Sequence, residues 1–173
     1  MPGTFRTWDH GWGPLALILM ASLLPFQQPT TTDRVAVARS RFDHETDPVH
    51  KAKLIVPLGT AEFDQIEKQV IDRDVTTALA GLQAYQTQVA TCEKGLEAKR
   101  VDPEKHSAGF KELEISVRES LRRLDNVLVR LSGDDQKPFL EIRKSLDDVN
   151  RHLIKELFPL QPGVATDSAK PKG

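Results

Sequence analysis

Few residues in this 173-residue sequence have the type and spacing to do chemistry. Asp47-x-x-His50 sets a carboxylate and an imidazole three positions apart, close enough on one helix face to share a metal ion. Pro48 gives the same pair a structural reading, because a capping oxygen followed by proline is how a helix commonly begins. A metal needs three or four converging donors, and His44, across a joint between helices, is the nearest further one. His106 and His152 stand one to a segment, off the apolar faces, where surface placement is expected. A di-iron carboxylate centre asks for Glu-x-x-His on two helices, and the sequence has no such motif.

The other chemistries fare no better. Cys92 is the single cysteine, so neither an intramolecular disulfide nor Cys-x-x-Cys-His haem attachment is possible. It falls on an apolar stripe, where an unpaired cysteine behaves as a small hydrophobe. Met1 and Met20 both lie in the first twenty residues, leaving no thioether for haem iron or copper in the rest of the chain. No Gly-x-Ser-x-Gly elbow or glycine-rich phosphate loop occurs. The sequence therefore nominates no catalytic, cofactor-binding or metal residue, and enzymatic activity is not expected. Tyr85 is the one polar group on an apolar stripe large enough to line a cavity, as a small-molecule or metal sensor would require. Arg118, Arg122, Arg123 and Arg130 could contact a protein partner or an anionic surface, but Glu114, Glu119 and Asp125 interleave with them, and the pairs Glu114–Arg118 and Glu119–Arg123, each four apart, predict a solvated, self-neutralised face.

The elements that must carry these residues are helical. Apolar residues recur at gaps of three and four, the spacing that aligns side chains on one helix face. The clearest seam is Val75, Ala78, Leu82, Tyr85, Val89, Cys92 and Leu96. A second follows Phe110, Leu113, Val117, Leu121, Leu124, Leu128 and Leu131, between about Glu104 and Leu131, with Asp102-Pro103 as its start signal. A third follows Phe139, Ile142, Leu146, Val149, Leu153 and Leu157. Ser132-Gly133-Asp134-Asp135 between these two supplies a terminating glycine and then two possible caps.

Ahead of them, Asp47-Pro48 opens a helix to about Ile71 on Leu54, Ile55, Leu58, Ala61, Phe63, Ile66 and Val70, with a kink or a break expected at Pro57. Asp33 is expected to cap a short extra helix to about Glu45. Gly81 and Gly95 each cost about 1 kcal/mol against alanine unless another helix approaches them closely. The expected architecture is all-α: an antiparallel bundle of four main helices with a short N-terminal helix, spanning residues 33–159. Sequential neighbours joined by short connections must run antiparallel.

Composition agrees with this class. The chain is 39% hydrophobic, 6% aromatic and 28% charged, which suits amphipathic helices better than a β-sandwich. A net charge of -1 argues against general nucleic-acid affinity. Leu15 to Leu24 is uncharged and apolar but shorter than the roughly 18 residues that span a bilayer, as in the core of a signal peptide. Residues 1–26 are expected to be a leader directing export, 27–32 a polar linker, and 160–173 a disordered tail. Membrane contact is expected only through an uncleaved leader, and homo-oligomerisation is left open.

Two resemblances accompany these readings. Leu58-Gly59-Thr60-Ala61-Glu62-Phe63 and Asp74-Val75-Thr76-Thr77-Ala78 resemble the first helix of a tetratricopeptide repeat and its turn into the second, over about residues 54–90. No second copy follows at a period of 34, so the resemblance implies one closely packed helical hairpin. Gly109-Phe110-Lys111-Glu112-Leu113, Val117 to Asp125 and Glu156-Leu157-Phe158-Pro159 are similar to segments of small exported bacterial proteins of unknown function. That resemblance implies export and an all-helical fold, and it carries no catalytic residue.

Overall fold

The computed structural model describes residues 31–159 except Glu104 and His106, so the expected leader, most of the linker, the tail and His106 lie outside the described residues. Five helices account for the described fold: α1 (Thr31–His44), α2 (Pro48–Ile71), α3 (Val75–Ala98), α4 (Ser107–Leu128) and α5 (Gly133–Leu157). The all-α bundle expected from the seams is the fold observed. Among the described residues no helix is long and apolar enough to cross a membrane.

The helix boundaries follow from caps. Asp47 accepts a hydrogen bond from the His50 backbone N–H at 2.8 Å, and Pro48 occupies the first position of α2. The helix ends in a double turn-back, with Arg73 N bonded to Val70 O and Asp74 N to Gln69 O, while Arg73 takes φ 63°. Asp74 then caps α3 by accepting from Thr77 N at 3.2 Å. The C-terminus of α3 repeats the device: Arg100 N reaches Glu97 O, Val101 N reaches Leu96 O, and Arg100 sits at φ 48°.

Other boundaries differ from expectation. Asp33 lies inside the first turn of α1, which already starts at Thr31, so its charge faces the positive end of the helix dipole instead of capping from outside. Two residues of the expected linker are thus helical. Asp102 accepts from Lys105 N at 3.4 Å in a turn, and α4 begins at Ser107. Gly133 opens α5 instead of ending α4, and Ser132 at the N-cap spends its hydroxyl on the Asp135 carboxylate, giving no hydrogen bond to the backbone. No break occurs at Pro57. Helix α2 continues through it, because Leu58 and Gly59 are pinned against the neighbouring helices while proline removes only the bond to the Lys53 carbonyl.

The four long helices form a square in which α2 touches α3 and α4, and α5 touches the same two from the opposite corner. The sequential pairs run antiparallel as expected: Pro48 lies by Gly95 and Ile66 by Gly81, while Arg143 of α5 bonds Asp125 of α4 at 2.6 Å. The longer α3–α4 connection crosses the diagonal, so α2 and α4 lie side by side in the same direction, with Val49 by Gly109 and Arg123 by Asp64. The expected seam residues line the interior, and Leu82, Val117 and Leu146 are all fully buried. Helix α1 stands outside the square and, among the described residues, packs on α2 alone, through Val35 and Phe42.

Candidate functional site

The centre of the square is polar at one point. Tyr85 of α3 is 0% exposed, its ring edge-on to Phe63 with centroids 5.3 Å apart. Its Oη accepts from Ser120 Oγ at 2.7 Å and lies 3.1 Å from Ser116 Oγ, which in turn reaches the Ile55 carbonyl of α2 at 3.4 Å. Burial pushes the phenol up to about 12. Gly59 makes room for the ring, since a Cβ there would sit 2.9 Å from Tyr85 Cε2. Tyr85 is thus a fully packed and hydrogen-bonded joint between α2, α3 and α4.

A charged group is buried where α1 lies over α2. Glu62 is 2% exposed, and its Oε1 accepts from Arg39 Nη2 of α1 at 2.5 Å and from Gln88 Nε2 of α3 at 3.1 Å. Its Oε2 is buried with no partner, as are Gln88 Oε1 and Arg39 Nε. Burial raises the Glu62 carboxyl above the ordinary value, with the bonds from Arg39 and Gln88 opposing it. A cleft of about 250 Å³ opens beside this network, with Gln65, Gln69 and Thr77 on its walls and Gly81 at its floor.

The other flank of α1 is apolar. A groove of about 470 Å³ runs between α1 and α2, lined by Val37, Ala38, Leu54, Pro57 and Ala61, with Asp33, Arg34, Arg41 and Asp64 at its rim. Val37 is 53% exposed there. Leu54, expected on the core stripe, is only partly buried and forms part of the groove wall.

The residues singled out from sequence are dispersed. His44 Nδ1 lies 2.6 Å from the Ser40 carbonyl one turn back on its own helix, and the Asp47 carboxylate is taken by the His50 backbone, which holds its pKa below the usual range. Asp47 and His50 are therefore a cap. Cys92 is buried, with its thiol pushed up to about 12 by desolvation. The basic face is partly absorbed into the fold. Arg123, expected to pair with Glu119 on a solvated surface, turns to α2 and bonds Glu67 at 2.7 Å, Asp64 at 2.8 Å and the Thr60 carbonyl at 3.2 Å. Its side chain is 19% exposed and stands 5.5 Å from the Phe63 ring centroid. Glu119 pairs with Arg122 instead, and Arg118 pairs with Glu114, which is itself buried.

Sequence reasoning missed Glu62 and a cluster around His152. His152 of α5 meets Glu93 and Glu97 of α3, a contact across 59 residues that no local spacing signals. In comparisons of this chain with protein-family models, curated proteins and solved structures, none matched.

Proposed function

We propose that this protein is a non-enzymatic binding module that takes apolar side chains of a protein partner into the groove between α1 and α2. The apolar lining of this groove, with Val37 and Pro57 exposed, Ala38 and Leu54 partly buried and Ala61 buried, is the observation that carries this reading. Its mixed-charge rim can orient the polar backbone or termini of a segment laid across it. The arginine face of α4 is a weaker docking surface, since Arg118, Arg122 and Arg123 each already hold a carboxylate. The apolar Leu15–Leu24 stretch supports export to the bacterial envelope as the setting for this role.

Site-specific photo-crosslinking tests the groove. A photoreactive residue at position 37 is expected to trap a protein adduct in cells, whereas the same residue at position 122 is expected to trap none. Identical adducts from both positions, or none from position 37, would refute the groove. Mass spectrometry of the mature N-terminus tests export separately, with removal of about residues 1–26 expected.

A further inference from the structure

His152 Nδ1 lies 2.8 Å from Glu93 Oε1 and 3.7 Å from Glu97 Oε1, and the two glutamates stand one turn apart on α3. On the other side of the ring, Nε2 lies 3.7 Å from Glu156 Oε1, one turn along α5. One donor atom from each of Glu93, Glu97 and His152 falls within 4.8 Å of the other two. We propose that these three residues form a site for a divalent transition-metal ion of the zinc class, bridging α3 and α5. The inference is independent of the groove, which lies on α1 and α2.

Three observations converge on it. Bonds of about 2.0–2.1 Å in a tetrahedral shell set neighbouring ligand atoms roughly 3.3–3.4 Å apart, and the observed 2.8 and 3.7 Å bracket that spacing. The third edge, between the two carboxylates, lies within 4.8 Å, and adjustment of the Glu97 and His152 side chains, both about half exposed, would close the shell. Glu97 lies on the same side, 3.7 Å from the nitrogen that Glu93 meets at 2.8 Å, so both carboxylates converge on one imidazole atom. A cation at the shared point serves all three donors at once. Finally, with the metal on Nδ1 the proton must sit on Nε2, the side on which Glu156 Oε1 stands 3.7 Å away and a side-chain shift would bring it into hydrogen-bond range. That carboxylate–histidine–metal order is the usual support for a ligating imidazole.

The donor set selects the ion. One imidazole nitrogen with two carboxylates suits zinc and its transition-metal neighbours, whereas calcium and magnesium favour all-oxygen shells. The side chains of His152 and Glu97 are 44% and 53% exposed, which leaves the fourth position to water.

The test uses the full chain stripped with chelator and titrated with zinc chloride by calorimetry and thermal unfolding. One equivalent is expected to bind, raising Tm by roughly 5–10 °C when zinc exceeds its Kd about a hundredfold. Cobalt(II) in its place should give the visible absorption of a four-coordinate ion, and magnesium should do nothing. His152→Ala and Glu93→Gln should each abolish the shift while circular dichroism confirms that the helices remain, and His44→Ala/His50→Ala should retain it. Absence of any shift at millimolar zinc would overturn the site. So would binding that survives in both His152→Ala and Glu93→Gln, or that disappears in the His44→Ala/His50→Ala chain.

Discussion

Replacing Gly59 and Gly95 by alanine should move stability in opposite directions. Each lies inside a long helix, where alanine gains about 1 kcal/mol over glycine if space permits. At Gly95 it does, because the new Cβ would meet only Pro48 Cβ, at an ordinary 3.5 Å. At Gly59 the Cβ would lie 2.9 Å from Tyr85 Cε2 and 3.3 Å from both Tyr85 Oη and Ser116 Oγ. The tyrosine cannot retreat: it is fully enclosed, abuts Phe63 and is held by Ser116 and Ser120. Overpacking of this kind costs about 1–3 kcal/mol, which exceeds the propensity gain.

Gly95→Ala should therefore stabilise by about 0.5–1 kcal/mol and Gly59→Ala destabilise by about 1 kcal/mol. The gap of about 2 kcal/mol corresponds to roughly 6–10 °C in Tm for a domain of this size. Urea unfolding followed by circular dichroism, with unchanged m, measures it. Adding Tyr85→Phe to Gly59→Ala should recover little, because Cε2 remains. A Gly59→Ala chain as stable as Gly95→Ala would show that α2 and α3 are not in the close contact described.

Three further outcomes are expected. Glu62→Gln should stabilise the fold near neutral pH, because the raised carboxyl pKa means that burying the charged form is a net cost above the folded-state pKa; the advantage should vanish as pH falls below the ordinary 4.5, which unfolding midpoints between pH 4 and 8 would reveal. Arg123→Ala should cost about 1–2 kcal/mol in urea unfolding, whereas Arg122→Ala, at an exposed pair on one helix, should cost under about 0.5 kcal/mol. Cys92 should resist alkylation by iodoacetamide in the native state at pH 8 and react once denaturant unfolds the bundle; rapid native labelling would contradict its burial.

The helices and their inward faces were legible because periodicity is a property of one segment at a time. Leu82, Val117 and Leu146 could be assigned to the interior without knowing which helix each would meet. What periodicity cannot give is the partner. Arg123 was read with Glu119 because they are four apart, but α4 lies beside α2, and there Asp64 and Glu67 offer two carboxylates to one guanidinium. The same gap hid Glu62, whose carboxylate is enclosed between Arg39 of α1 and Gln88 of α3, and His152, whose glutamates are brought near by the packing of α5 on α3. Start and stop signals were ambiguous where two were adjacent. Asp102-Pro103 and Ser132-Gly133 each contain residues that suit either an end or a beginning; the first falls within the connection between α3 and α4, and the second opens α5.

Because α1 is fastened to a single neighbour among the described helices, it can peel away without dismantling the square. Its amides should exchange with deuterium through this local opening before those of α3 or α4. Opening would erase the groove and return the Glu62 carboxylate to water in the same event. Any molecule gripping both walls would then act as a latch, and protection of α1 would report its occupancy from a distance.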